Sequence, residues 1–364
     1  MVSVLAFVVV LGVLIIVHEL GHFITAKAAG IAVPRFSIGL GPRIWGFTIG
    51  ETEYVISALP LGGYVKMVGM GEEEALETLE GGKTDVEFPP ERHFDQKSIG
   101  TRAIVIAAGP AMNFVFAIFA FAGVAYYLSY APLIGSVEEG MPAAEAGVLP
   151  GDLIVAVDTV ETRLWTEFAT YVRQRPGETV SLGIERDEQE LRLPTLIAAI
   201  DTTVVDTAGN DTTITFGRIG VSRDTVNVLR AYGLGESMME GTRQTVDLSV
   251  AIVRFVGELV TGKVSPRNLG GPILIGQVSG QAARAGVIAL LGWMAFLSVN
   301  LAVLNMLPIP ILDGGHLVFL AIEGVRGKPL SAQARARLSQ LGFIVIMALM
   351  VWVFASDILR LTGK

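Results

Sequence analysis

His18, Glu19 and His22 fall within "IIVHELGHFITAKAAG", from Ile15 to Gly30, one of the most apolar stretches of the chain. Their spacing is H-E-x-x-H. On a helix, positions four apart share a face, so the two imidazoles can share a metal ion. Glu19 is adjacent to one candidate ligand and three residues from the other, within reach of a water activated at that metal. Such a metal lowers the pKa of the water to about 7, where a carboxylate can take its proton. The competing explanation is a chance match or a structural polar cluster. Each ionisable group at mid-membrane costs about 2.5–3.5 kcal/mol on insertion scales, so a cluster of three points to function.

A catalytic zinc needs a third protein ligand and an open position. Asp313, in "NMLPIPILDGGHL", is the favoured candidate, and His316, three residues on, is the rival. The carboxamide of Asn305 can donate to a developing oxyanion or hold a substrate backbone; it can also bridge helices. Asn113, in "AGPAMN", can do the same. Pro308 and Pro310 break the helix and free carbonyls that neighbours must satisfy, which suits the entrance to a site.

The elements that position these groups follow from composition and hydropathy. The chain has 364 residues, of which 51% are hydrophobic, and its mean hydropathy is +0.57. Four segments reach the roughly 20 apolar residues that a bilayer demands. They are about Val2–Ala29, Arg102–Tyr130, Val287–Leu307 and Leu341–Leu361. A cleaved signal peptide is the rival reading of the first segment. It lacks a positive n-region and a small-residue cleavage site, and its apolar run continues past His22, so it is expected to stay as a membrane helix. A net charge of −8 argues against a nucleic-acid partner. The absence of cysteine excludes disulfides, iron–sulfur clusters and thiol catalysis, and leaves the compartment open.

Short loops rich in Lys and Arg face the cytoplasm. The connection after the third span carries Arg326, Lys328, Arg335 and Arg337; that after the first carries Arg35, Arg43, Lys66, Lys83, Arg92 and Lys97. Both are expected inside, with Met1, Lys364 and the long Ala131–Gly286 segment outside. The active site then lies in the membrane near its cytoplasmic side, since Asp313 and the H-E-x-x-H motif both fall near the inner ends of their spans. "LSVAIVRFVGELV" is a rival span. Arg254 and Glu258 interrupt it, and it would place the two basic connections on opposite sides, so Glu236–Gly262 is expected as an amphipathic helix. Aromatic and β-branched residues alternate with Gly and Pro from about residue 31 to 68, which predicts strands and turns that re-enter the membrane. The charged loop after it, with His93, is expected to be solvated. From Ala131 the pattern is that of a compact α/β module with a short helix at Thr166–Arg173, followed by strands with a turn at Gly209–Asn210.

H-E-L-G-H, "FSIGLGP", "GGYVKM", "AGPAMNF", "NLGGPI" (Asn268–Ile273) and "NLAVLNMLPIPILDGGH" together resemble the site-2 proteases, and within them the bacterial regulator-of-sigma-E type. The resemblance covers most of the chain. It implies an intramembrane zinc metalloprotease with His18, His22 and Asp313 on Zn2+, Glu19 as base and Asn305 at the substrate. The exterior module, Ala131–Thr195, resembles a PDZ domain, with Leu133, Ile134 and Gly135 in the expected peptide-binding loop. Relatives of this type carry two tandem PDZ domains, and this sequence shows one.

The expected fold class is a polytopic α-helical membrane protein with four transmembrane helices, a membrane-associated β-rich segment and an extracytoplasmic α/β PDZ domain. Its parts are residues 1–130, 131–195, 196–285 and 286–364. Expected partners are single-span membrane substrates of the anti-sigma-factor type, remnant signal peptides, peptide ends at the PDZ domain, and lipid of a bacterial inner membrane. An inactive PDZ-bearing scaffold is the alternative. A metal transporter is a further one, and it would need more ligating residues along its spans than this chain offers.

Overall fold

Val, Leu and Ile without a helix breaker form α1, Val2–Ala28, in the computed structural model of the chain. That structure describes residues 2–70, 87–205, 211–264 and 270–361. Met1, residues 71–86 of the charged loop with Lys83, the Gly209–Asn210 turn, Asn268 and Lys364 lie outside the described residues. Gly30, at φ 69°, ends α1, and Ile31 N–H returns to Ala26 O at 2.9 Å; a left-handed residue here suits glycine. Strands β1 (Arg35–Ile49) and β2 (Thr52–Lys66) follow. Both bend back on themselves. Residues 35–38 pair with 53–56 and with 63–66, while 43–49 pair with 52–57. The order across this ribbon is 43–49, 52–57, 35–38, 63–66. Ile44, Trp45 and Ile49 at its tip are exposed. The ribbon is anchored at its turn: Glu51 takes Arg92 at 2.6 Å and Lys27 at 2.6 Å. Those cations, Arg92 first, hold the Glu51 carboxyl at a pKa of about 2. His93 is half-buried and bonds Phe88 O at 3.0 Å instead of standing free in solvent. Helix α2, Ile99–Leu128, carries Pro110 in its interior.

The chain divides into two compact units, one of residues 1–124 with 238–364 and one of Ala125–Ser237. The second unit holds β3 (Ile134–Val137), α3 (Pro142–Glu145), β4 (Leu153–Val157), β5 (Val160–Glu161) and α4 (Trp165–Arg173). Then come β6 (Thr179–Arg186), β7 (Gln189–Leu196), β8 (Ala198–Val205), β9 (Asp211–Arg218) and β10 (Val221–Arg223). One sheet runs β5-β4-β6-β7; β8 pairs with β9, and β10 with β3. Phe168 of α4 is buried with Ile134, Ile154, Leu182, Ile197 and Ile219. Ile197 and Ile219 lie beyond Thr195, and β10 completes the ladder on β3. The module therefore extends past the expected 131–195 boundary, because its core closes only with those later residues.

After it come α5 (Leu234–Val260), α6 (Pro272–Ala285), α7 (Val287–Asn305), α8 (Asp313–Arg326) and α9 (Ala332–Leu361). Among the described residues, four helices are long and apolar enough to cross a membrane: α1, α2, α7 and Gln333–Leu359 of α9. α5 is helical as expected and is not among them. Its Ile252 packs with Ala117 of α2 and Val299 and Val303 of α7, so its apolar stripe is used on the bundle. α6 and α8 were not expected from the sequence as separate helices. Asp357 of α9 accepts from the N–H groups of Gly271, Ile273 and Leu274 at 3.1, 3.0 and 3.1 Å, which satisfies the free donors at the start of α6.

Candidate active site

Period and chemistry coincide on α1: His18 and His22 are both buried, one turn apart, at 7% and 8% exposure. Their Nε2 atoms stand 3.2 Å apart. Asp313 reaches them from the N-terminus of α8, with Oδ2 3.1 Å from His18 Nε2 and Oδ1 3.5 Å from His22 Nε2. The three candidate ligands thus converge, all within 4.8 Å of one another. Four ligands at about 2.0–2.1 Å in a tetrahedron stand about 3.3 Å apart, so these three separations fit zinc with one position left over. His316, the rival, is outside this group and lines a small pocket with Phe94, Arg102 and Glu323.

The outer nitrogen of His22 decides its tautomer. Nδ1 lies 2.9 Å from Val105 O. A carbonyl only accepts, so Nδ1 carries the proton and Nε2 presents a lone pair. Pro110 has no N–H to give to the helix, leaving the Ile106 carbonyl of α2 short of its usual donor. α2 can come this close because of Gly109. A methyl there would stand 2.3 Å from His22 Nε2 and 2.8 Å from His18 Nε2. Neither Gly109 nor the Val105 carbonyl was identified from sequence. "AGPAMN" was noticed for its asparagine, and a backbone carbonyl leaves no mark in a sequence.

Asn113 is fully buried, its Nδ2 3.1 Å from His18 Nδ1. Of the two roles open to it, a substrate contact or a bond between helices, the structure has the second: its amide lies against a histidine of α1. Its backbone carbonyl accepts from Ser298 Oγ of α7 at 2.9 Å. Asn305, at the end of α7, is half-buried, and its amide makes no hydrogen bond among the described residues. Glu19 lies against the ribbon: a methyl on Gly63 would come within 3.2 Å of its Cγ. Ile311, two residues before Asp313, has φ 102°, a costly conformation for a β-branched residue.

Leu133, Ile134 and Gly135 do not form a groove. Ile134 is buried in the core of the second unit, Leu133 bridges to Leu153, and a methyl on Gly135 would meet the Asp224 backbone at 2.6 Å. One cleft of this unit, about 330 Å³, lies elsewhere, between Trp165, Ala169 and Arg173 of α4 and residues Phe216–Val221; a larger one, about 610 Å³, is lined by Ala131, Leu153, Arg163 and Leu229. The second wall of the cleft beside α4 comes from far along the chain, after a hairpin that reads as a separate segment.

A relative in Agrobacterium fabrum strain C58, named as a candidate zinc metalloprotease, is 38% identical across 98% of this chain and 96% of its own. The regulator of sigma-E protease RseP of Escherichia coli K12 is 32% identical across 98% of each chain. That alignment runs over 468 positions, so the relative carries segments that this 364-residue chain lacks. The PDZ domain of an SdrC-like protein from Listeria innocua is 23% identical over 26% of this chain and 92% of its own, with a TM-score of 0.20. The model of peptidase family M50 matches residues 6–349. Because that match runs from the first apolar helix into the last, the chain belongs to peptidase family M50 and is a zinc metalloprotease.

Proposed function

We propose that this protein hydrolyses peptide bonds inside the transmembrane segments of single-span membrane proteins, with His18, His22 and Asp313 holding zinc and Glu19 as general base. The convergence of two buried imidazole nitrogens on an apolar helix with the half-buried carboxylate of Asp313 carries this reading. Zinc held by these three residues would supply Lewis acidity to the scissile carbonyl and to the attacking water. Val105 O keeps the His22 ring in register. Glu19 takes the proton of the attacking water and returns it to the leaving amine. Asn305, its amide unengaged, donates to the substrate backbone near the developing oxyanion.

A substrate helix has its carbonyls engaged and must unwind before attack. In lipid each exposed backbone group costs several kcal/mol unless it finds a partner. Residues 63–66 form one of the two outer strands of the ribbon, the one that passes beside Glu19. The unwound substrate adds to that edge as a further strand. Anti-sigma factors trimmed beforehand and remnant signal peptides are the substrate classes proposed. The Ala125–Ser237 unit acts as a PDZ module that takes peptide ends in the cleft beside α4, and it lies outside an inner bacterial membrane with both termini. Co-expression with a single-span substrate tests the core of this reading. Glu19→Gln should retain zinc and lose cleavage, whereas His18→Ala, His22→Ala and Asp313→Asn should lose both. Loss of zinc in Glu19→Gln with full zinc in Asp313→Asn would overturn the assignments.

A further inference from the structure

The ring that the Asn113 carboxamide faces decides which way round the group lies. Its Nδ2 faces His18 Nδ1 at 3.1 Å, and its Oδ1 is buried with no hydrogen-bond partner. An NH2 group only donates, so this arrangement would require a lone pair on Nδ1 and hence a proton on Nε2 in the neutral ring. A proton on Nε2 would block the atom that points at His22 Nε2 and Asp313. Oxygen and nitrogen of a carboxamide are assigned from the hydrogen-bond network, and turning the group by 180° exchanges them. After the turn Oδ1 accepts Nδ1–H, and Nδ2 takes the buried place of Oδ1, so the gain is the match to the ring and not a partner at the other atom. His18 then matches His22, whose Nδ1 donates to the Val105 carbonyl. Each ring gives its outer N–H to an acceptor on α2, and each turns an Nε2 lone pair inward.

We infer that Asn113 is a positioning residue: its carboxamide oxygen accepts Nδ1–H of His18 and fixes the tautomer that leaves Nε2 open to the metal. This rests on the reading of His18 as a zinc ligand. Partners of this kind orient a ligand and raise its basicity, and removing one typically weakens metal affinity about 10- to 100-fold. The backbone of Asn113 is tied separately, through Ser298 Oγ, so its side chain can be changed while α2 keeps its place on α7.

The test is zinc affinity of the full-length protein in detergent, measured by competition with a chelating dye. His18→Ala is the control. If it binds zinc as wild type does, the ligand assignment fails and the inference falls with it. With His18→Ala impaired, Asn113→Leu, which keeps the volume and loses the bond, should weaken zinc about 10- to 100-fold. Asn113→Asp, which can accept and cannot donate, should stay within about threefold of wild type, as in a carboxylate–histidine–zinc arrangement. A purely structural role would cost both variants alike. Unchanged affinity in Asn113→Leu overturns the inference. So does an Asn113→Asp variant that binds as weakly as Asn113→Leu or fails to fold, because a carboxylate facing Nδ1–H is compensated. If Asn113→Leu does not fold, Asn113→Asp decides alone.

Discussion

A single missing methyl group sets the width of the metal site. Gly109 lets α2 lie against both Nε2 atoms, where a Cβ would be 2.3 Å from one and 2.8 Å from the other. By helix propensity alone, Gly→Ala in a helix interior stabilises by about 1 kcal/mol. Gly109→Ala therefore separates site from scaffold. It should abolish stoichiometric zinc binding while the purified protein stays helical and monodisperse; full zinc in that variant would mean that the nitrogens do not point where the structure has them. Gly63 plays the same part for the proposed base, since a side chain there would press on Glu19 Cγ at 3.2 Å. The strain at Ile311, of about 1–3 kcal/mol for such a conformation, is placed two residues before Asp313 and is consistent with a loop shaped for its carboxylate.

At the scale of elements, the β1–β2 ribbon is held to the bundle by charge at one end and reads substrate, as proposed, along its edge. The Arg92 guanidinium, with Lys27, holds the Glu51 carboxyl well below its ordinary 4.5, at about 2. A depressed carboxylate contributes stability that is complete above its unfolded pKa and disappears as pH falls through the folded one. The stability difference between wild type and Glu51→Gln should thus be full at pH 6 and shrink between about 4.5 and 2. Thermal melts in detergent across that range would show it, and high salt should reduce it, because these side chains are partly exposed. The edge itself is tested by Tyr64→Pro, which removes one N–H from the strand beside Glu19. Cleavage of a transmembrane substrate should slow with zinc content unchanged. Within the substrate, Gly or Pro near the cut costs a helix about 1 or 3 kcal/mol against Ala, so replacing them with Leu should also slow cleavage. Rates indifferent to both changes would remove strand addition from the mechanism.

The whole molecule joins a bundle that holds the candidate zinc site to a separately packed unit that has its own cleft. Filling that cleft is a cleaner probe than deletion. Removing Ala131–Thr195 would strip β3 to β7 from Ile197 and Ile219, which share their core, and expose apolar surface. Ala169→Trp should instead occupy the space between α4 and Phe216–Val221. Peptides that bind the wild-type protein should lose affinity for this variant, with zinc content and basal cleavage of a trimmed substrate unchanged. Peptide affinity that survives the substitution would move the binding surface elsewhere on the unit.

Local order was legible in the sequence. The H-E-x-x-H period is a property of one helix, and the four apolar stretches answer to bilayer thickness alone, so α1, α2, α7 and α9 appear where hydropathy puts them. Asp313 could be proposed as a ligand because its chemistry and its depth beside a broken helix are both written in a short segment. α6 and α8 were missed. They are short and flank glycine- and proline-rich runs, and the side chain that satisfies the start of α6 is Asp357, far away in sequence. The second wall of the cleft lies at Phe216–Val221 for a like reason: β10 pairs with β3 across more than eighty residues of chain, Ser222 with Ser136. Only tertiary structure could choose a role for Asn113. An amide between two helices can face substrate, a neighbouring backbone or a ring. The choice depends on which atom the packing of α2 on α1 brings within hydrogen-bond reach, and here that atom is His18 Nδ1.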